Sequence, residues 1–191
     1  MRIIAGAARG RRLVAPPGDA VRPTADRVRE ALFSSLAPLL PGASVLDGFA
    51  GSGALGLEAR SRGAATVTLV EQDRRALVTL RRNVEAVGLG GVTVVPGDLL
   101  RLAAAGGPTG APFDLVLLDP PYALGEDELA GLLGRLVGLL APEATVVVER
   151  ARSSPAPRWP SDLRPTTERR YGSTCLHRAV HGAADGTGEL A

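Results

Sequence analysis

The chain has 191 residues, of which 45% are hydrophobic, and a formal net charge of +2. This length is enough for one substantial core and short for two typical domains. The apolar runs fall far below the roughly 20 residues that cross a bilayer. The first residues lack the apolar stretch of a signal peptide, and the single Cys175 excludes an internal disulfide. We therefore expect one soluble, cytoplasmic, monomeric domain with no membrane partner.

The basic residues are unevenly distributed, and all 22 of them are Arg. Residues 1–30 carry seven Arg against three acids, and residues 150–178 carry seven Arg against two acids. The segment between them is acidic. Clustered cations displace counterions from a phosphate backbone, so the two basic ends predict a surface that binds a polyanion.

The N-terminal segment is predicted to be a small extension of the fold. Residues 2–5 and 11–15 flank a glycine-containing segment, which favours a β-hairpin within residues 1–20. Thr24 is predicted to cap a helix that reaches about Ala37.

From residue 43 onward, strand and helix patterns alternate, which is typical of a parallel sheet with crossover helices. The predicted strands are 44–47, 66–71, 92–95, 113–119 and 144–149, and the predicted helices are 55–62, 74–87 and 126–140. Segments 163–170 and 174–180 predict an antiparallel pair that finishes the sheet. The fold class is therefore α/β and Rossmann-like, with a single domain over residues 1–181 and a disordered tail over 182–191.

A glycine loop follows the first predicted strand. Gly51-Ser52-Gly53-Ala54-Leu55-Gly56 satisfies G-x-G-x-x-G, and Glu71 follows Gly51 by 20 residues, as in NAD-binding proteins. Asp47, just ahead of the loop, would repel a pyrophosphate by a few kcal/mol, on the order expected for charges about 4 to 5 Å apart. S-adenosylmethionine carries an ammonium and a sulfonium and no phosphate, so the same carboxylate would attract it.

Two further acids follow strands of the predicted sheet and fit an adenosyl ligand. Glu71 can accept hydrogen bonds from both ribose hydroxyls, and Asp98 can accept one from the adenine amino group. We therefore predict S-adenosylmethionine as the cofactor. Its predicted contacts also include backbone groups of the glycine loop and of the segment after the third strand. The predicted contacts are Asp47, Ala50, Gly51, Gly53, Glu71, Asp98 and Leu99. NAD ranks second, since no separate substrate domain follows.

The Asp119-Pro120-Pro121-Tyr122 turn ends the fourth predicted strand, where open parallel sheets bind ligands. The exocyclic amine of a base is a poor nucleophile, because its lone pair is delocalised into the ring. The Asp119 carboxylate and the Pro120 carbonyl can each accept one amino N–H and stabilise the developing positive charge. Tyr122 offers a face for base stacking. These three residues are the predicted catalytic set for methylation of a base amino group.

Other kinds of site receive less support from the sequence. The second proline pair, Pro16-Pro17, has no Asp before it and no aromatic residue after it. Cys175, His177 and His181 are interpreted as incidental residues of a terminal strand, so no metal site is predicted.

With these residues identified, the chain resembles the bacterial 16S ribosomal RNA guanine-N2 methyltransferases of the RsmD family over about residues 1–180. The most specific similarity is N-terminal, and the glycine loop and the Asp-Pro-Pro-Tyr turn are shared by many amino methyltransferases. The matching segments are 1–6, 9–11, 22–24, 26–33, 49–56 and 119–122, with a weaker match at 171–172.

The resemblance implies methyl transfer to N2 of one guanine in 16S ribosomal RNA, free or within a 30S subunit. It implies the class I methyltransferase fold, with a seven-stranded sheet whose last strand is antiparallel. It also implies that the hairpin helps to hold RNA, for which Arg9, Arg11 and Arg12 are the candidates. The segment around Thr24 and Arg27 is expected to close over cofactor or substrate. Arg27 would then pair with the methionine carboxylate, or else form a salt bridge on the helix surface.

Three alternatives remain open from the sequence. The turn also suits adenine N6 in DNA, although no DNA-recognition domain is apparent. A methyltransferase for a small molecule would not require basic ends. A noncatalytic RNA-binding or assembly protein would be expected to have lost one of Asp47, Glu71 or Asp119, and all three are present.

Overall fold

The computed structural model describes residues 1–16, 23–121 and 123–182, and residues 23–25 without their side chains. The strands are β1 (Ser44–Asp47), β2 (Thr66–Glu71), β3 (Val92–Pro96), β4 (Phe113–Leu118), β5 (Leu140–Ala151), β6 (Leu163–Tyr171) and β7 (Thr174–His181). The helices are α1 (Pro23–Leu36), α2 (Ala54–Ser61), α3 (Arg74–Val87), α4 (Leu99–Ala104) and α5 (Glu126–Leu136), with 3-10 turns at Ala37–Leu39 and Val137–Leu139. The predicted disordered tail beyond residue 182 lies outside the described residues.

One seven-stranded sheet organises the domain, in the order β3-β2-β1-β4-β5-β7-β6. The first five strands pair in parallel, and β7 runs antiparallel to both β5 and β6. This architecture confirms the predicted α/β class and the predicted antiparallel pair at the end of the sheet. No described helix is long and apolar enough to cross a membrane.

The two faces of the sheet are buried by different elements. Val45, Leu117 and Val147 belong to the cluster that packs against Phe33 of α1 and Leu57 of α2. The alternate residues of the same strands pack against α5 on the opposite face, among them Leu46, Val116, Val146 and Val148. Because side chains alternate along a strand, this pattern fixes which strand-end residues face α1 and α2.

Some helices of the structure begin or end at residues other than those that the hydrophobic periodicity of the sequence predicts. The predicted helix over residues 126–140 ends at Leu136 and tightens into a 3-10 turn, and β5 begins at Leu140, earlier than expected. The six-residue α4 was not predicted, because it is too short to show a helical period. Thr24 is the second residue of α1, so its predicted N-cap role is wrong.

Within residues 1–16, the N-terminal segment folds back on itself through an antiparallel bridge between Arg2 and Arg12 and through backbone hydrogen bonds from Ile3 N–H to the Arg11 carbonyl and from Leu13 N–H to the Met1 carbonyl. The predicted hairpin is therefore correct in direction but does not form two strands. The N–H groups of Ile4 and Ala5 donate instead to the carboxylate of Glu58 in α2, at 2.7 and 3.0 Å. The Glu58 side chain is fully buried.

Further contacts fix the N-terminal segment on the domain. The N–H of Ala8 donates to the hydroxyl of Ser61, which itself donates to the Ala5 carbonyl. The buried Asn83 of α3 accepts from the Val14 N–H and donates to the Val14 and Ser52 carbonyls. The extension is consequently an integral layer over α2 and α3.

Gly56 allows α2 to pack closely on the sheet. A Cβ at this position would lie 2.3 Å from Cδ2 of Leu69 and 2.9 Å from Cγ1 of Val67. We expect Gly56→Ala to lower the free energy of unfolding by about 1 to 3 kcal/mol, because overpacking shifts buried side chains. Urea denaturation measures this change.

The control for this prediction is Gly134 in α5, where an added Cβ meets nothing within 4 Å. We expect Gly134→Ala to raise the free energy of unfolding by about 0.5 to 1 kcal/mol, since alanine favours the helix. A Gly56→Ala protein as stable as the wild type would contradict the packing explanation.

Candidate active site

A cavity of about 810 Å³ opens at the carboxyl ends of the parallel strands. Its walls come from the loops that follow β1, β2, β3, β4 and β5, and from α1. The predicted residues that line it are Asp47, Ala50, Gly51, Glu71, Leu99, Asp119 and Pro120. Sheet topology brings these residues together although they are separated by up to 73 positions in the sequence. Tyr122 lies outside the described residues.

Asp47 ends β1 and is 1% exposed. Its Oδ2 accepts the N–H of Gly56 at 2.8 Å, while Oδ1 has no hydrogen-bond partner among the described residues. Burial raises the pKa of Asp47 to about 7; the negative charges of Asp119 and Glu71 add to this, and the Gly56 hydrogen bond opposes it. An unsatisfied carboxylate oxygen on the cavity wall suits a cationic ligand.

Glu71 holds the glycine loop in place. Its Oε2 accepts the N–H of Gly51 at 2.8 Å, and its Oε1 accepts the N–H of Asp73 at 2.7 Å. Gly51 and Gly53 both have positive φ, at 53° and 79°, which explains the glycine requirement at these positions. Gly53 is the N-cap of α2 and does not line the cavity.

Asp98 lies at the start of α4 rather than on the cavity wall. Its side chain accepts the N–H of Leu100 at 2.9 Å and forms an ion pair with Arg101 at 3.6 Å. The sequence predicted an adenine contact for Asp98, which stays a prediction. The neighbouring Leu99 is buried and does line the cavity.

The turn after β4 presents an exposed Asp119 and a buried Pro120. The segment beyond it is fixed by contacts that the sequence did not reveal. The N–H of Leu124 donates to the Pro121 carbonyl at 2.9 Å, and buried Arg150 of β5 donates to Glu126 at 2.5 Å. The second contact ties the start of α5, just beyond the candidate catalytic turn, to β5.

Glu149 of β5 is a cavity residue that the sequence prediction missed. It is half-buried, and burial together with the negative charge of Asp119 raises its pKa to about 8. A hydrogen bond from Thr174 opposes this rise. The signal was available, because Glu149 ends a predicted strand as Asp47 and Asp119 do.

Helix α1 contributes Arg29 rather than Arg27 to the cavity wall. Arg27 is exposed, so its predicted pairing with a methionine carboxylate stays a prediction. Arg29 is 5% exposed and donates to the Arg2 carbonyl at 2.6 Å and to Asp26 at 3.1 Å. Thr24 was predicted to close over the same site, but its side chain lies outside the described residues.

The predicted RNA-binding residues Arg9, Arg11 and Arg12 are all exposed on the N-terminal layer. Arg11 also donates to the Ala86 carbonyl near the end of α3, at 2.7 Å. Their exposure is compatible with phosphate contacts, and their role in RNA binding stays a prediction.

Glu168, Cys175 and His177 come together on β6 and β7, with their ligand atoms within 4.8 Å of one another. Arg170 forms an ion pair with Glu168 at 2.7 Å, which places a cation beside the cluster. Cys175 and His177 alternate with Leu176, which packs toward α1 and α2, so their side chains lie on the face opposite the cavity.

The chain matches the family model described as "Conserved hypothetical protein 95" over residues 1–179. It is 43% identical to the ribosomal RNA small subunit methyltransferase D of Escherichia coli over 162 residues, covering 85% of this chain and 80% of that protein.

Solved structures show the same fold. A hypothetical protein of Thermus thermophilus has a TM-score of 0.77 and 33% identity, with 96% of this chain and 99% of that chain covered. The magnesium protoporphyrin IX methyltransferase of Synechocystis, solved with bound S-adenosylmethionine, has a TM-score of 0.66 and 17% identity, with 86% and 87% covered. The second likeness shows the fold alone. By the family match and the identity to its Escherichia coli relative, the chain belongs to the ribosomal RNA small subunit methyltransferase D (RsmD) family.

Proposed function

We propose that this protein transfers a methyl group from S-adenosylmethionine to the exocyclic N2 amino group of a guanine in small-subunit ribosomal RNA. Family membership supports methylation of small-subunit RNA. The observation that carries the proposal is the position of Asp119 and Pro120 in one cavity with Asp47 and Glu71. Groups suited to an amine and groups suited to a cationic nucleoside therefore share a single crevice.

The cofactor half of the cavity fits S-adenosylmethionine, which supplies an electrophilic methyl group when bound. Asp47 Oδ1, buried and without a hydrogen-bond partner among the described residues, is available to an ammonium group. Glu71 keeps the glycine loop in the conformation that lets backbone approach the ligand. A pyrophosphate would meet repulsion from Asp47 instead, which disfavours NAD.

The substrate half is suited to a neutral aromatic amine. Asp119 is positioned to accept an amino N–H, and the Pro120 carbonyl to accept the second. Both acceptors stabilise the positive charge that develops on nitrogen during methyl transfer. The proton of the methylated nitrogen is then released toward the Asp119 carboxylate. The fixed φ of proline holds the carbonyl in place before the base enters.

The test is methyl transfer from labelled S-adenosylmethionine to small-subunit RNA and to 30S subunits prepared from cells that lack the modification. The labelled RNA is digested to nucleosides, so that the modified base is identified directly. Label in N2-methylguanosine is the expected outcome. DNA serves as the comparison substrate, because the same turn suits adenine N6.

A further inference from the structure

Glu149 and Asp119 lie side by side at the same edge of the sheet. Leu118 of β4 is paired with Val148 of β5, so Asp119 and Glu149 are the next residues on neighbouring parallel strands. Such strands are about 4.8 Å apart. Both residues line the cavity.

The two carboxyl groups also project to the same face. Leu117, Val147 and Leu176 belong to the cluster that packs toward α1 and α2. Side chains alternate along a strand, so residues two positions away share that face. The residues so placed are Asp119, Glu149 and Thr174, and all three line the cavity. Thr174 also lies close enough to Glu149 to lower the pKa of this carboxyl group.

The strand order separates this group from the cofactor half. Asp47 and Glu71 end β1 and β2, which lie on one side of β4, whereas Glu149 is carried by β5 on the other side. If the amino group of a base binds at Asp119 and points toward the cofactor, the ring of that base therefore lies near Glu149. A side chain at this position is suited to recognising the base through a hydrogen bond to its ring.

We propose that Glu149 accepts a hydrogen bond from N1–H of the target guanine and thereby selects guanine over other bases that carry an amino group. The inference rests on the function proposed above. Guanine presents N1–H beside its 2-amino group, which gives two adjacent donors for two adjacent carboxyl groups. Adenine and cytosine present a lone pair on the ring nitrogen beside the amino group, and this lone pair would face a carboxylate oxygen.

Burial and the negative charge of Asp119 both disfavour the ionised form of Glu149 in the free protein. They raise its pKa to about 8, which disfavours the ionised carboxylate unless a hydrogen-bond donor stabilises it. When guanine enters, N1–H donates to the carboxylate, and the proton that Glu149 carried is released to solvent. A base without that donor leaves the ionised carboxylate facing a lone pair, whereas a protonated Glu149 could donate to that lone pair, so the bases are compared above pH 8, where Glu149 is ionised.

The experiment compares RNAs that carry either guanine or 2,6-diaminopurine at the modified position, which is located first with the wild-type protein. Both bases have the 2-amino group, but N1 of diaminopurine is an acceptor. We expect the wild type to prefer guanine by about tenfold to a hundredfold in kcat/KM, as for one lost hydrogen bond in a buried site.

Glu149→Gln supplies an amide that can donate to N1 of diaminopurine, so we expect its preference for guanine to fall at least about tenfold. Glu143→Gln is the matched control, because Glu143 is an exposed residue at the other end of β5. It should retain the wild-type preference.

The outcomes separate this inference from the proposed function. Equal wild-type rates on the two RNAs, or an unchanged preference in Glu149→Gln, would overturn the role of Glu149 while leaving guanine methylation intact. Wild-type protein that leaves N2 of guanine unmodified would overturn both. If Glu149→Gln does not fold, Glu149→Ala takes its place: it removes the acceptor for N1–H, so we expect the preference for guanine to fall, and an unchanged preference would overturn the role of Glu149.

Discussion

Replacing Asp119 with Ala is expected to reduce the rate of methyl transfer about 10² to 10³-fold, while leaving the binding of S-adenosylmethionine within a few-fold of the wild type. The magnitude is that of losing one preorganised group that stabilises charge in the transition state. The selectivity follows from position, because Asp119 directly follows β4, whereas the proposed cofactor contacts lie at or just after the ends of β1, β2 and β3. Single-turnover kinetics and calorimetric titration measure the two effects.

Two further variants test the role of Asp119 more closely. Asp119→Asn retains one acceptor oxygen, so we expect a smaller loss than for Asp119→Ala. Asp114→Asn alters an exposed acid at the opposite end of β4, which accepts the Ser44 N–H at 2.8 Å, and should leave the rate unchanged. Full activity in a folded Asp119→Ala protein would remove Asp119 from the chemistry.

The second large effect concerns Asp47 and pH. In the folded protein Asp47 holds its proton up to a pKa of about 7, whereas its ordinary value is 3.8. Between these values the folded state binds more protons than the unfolded state, so this residue's contribution to stability is lost as pH rises. We expect Asp47 to lower the free energy of unfolding by about 2.5 kcal/mol between pH 5 and pH 8.

Asp47→Asn isolates this contribution, since Asn cannot titrate and its side-chain oxygen can still accept the Gly56 N–H. Glu149, with a pKa of about 8, adds a slope of the same sign to both proteins and cancels in the comparison. Urea denaturation at pH 5, 6, 7 and 8 gives the two profiles. Parallel profiles would show that Asp47 is ionised over the whole range from pH 5 to pH 8 and that burial does not raise its pKa.

Much of the fold was predictable from the sequence because its strands and helices are regular. The bounds of β1, β2 and α3 coincide with the predicted segments, since each is marked by a hydrophobic period and ended by a polar residue or glycine. Helix α4 was missed because six residues show too little of a period. Strand β5 extends to Leu140, where its pairing with Phe113 overrides the local helical pattern.

The candidate site was predictable where it follows a local rule. Asp47 and Glu71 end strands of a parallel sheet and Asp119 directly follows one, and such ends converge on one edge. Glu149 follows Val148, the last β5 residue that pairs with β4, but belongs to no recognised motif. Its significance emerges only when the pairing of β4 with β5 places it beside Asp119.

Contacts between distant parts of the chain were not predictable. Glu58 accepts from Ile4, 54 residues away, and Asn83 bonds Val14, 69 residues away. A buried Glu or Asn on a helix has the same local pattern as an exposed one. These contacts nevertheless determine that the basic N-terminal segment forms a fixed layer on α2 and α3.

The most direct test of the proposed function is the identity of the nucleoside that receives the methyl group. Wild-type protein, labelled S-adenosylmethionine and small-subunit RNA lacking the modification are incubated, and the digested RNA is resolved by chromatography and mass spectrometry. We expect label in N2-methylguanosine, at a single position. Label in N6-methyladenosine, label only in DNA, or no transfer to RNA or 30S subunits would contradict the proposed function.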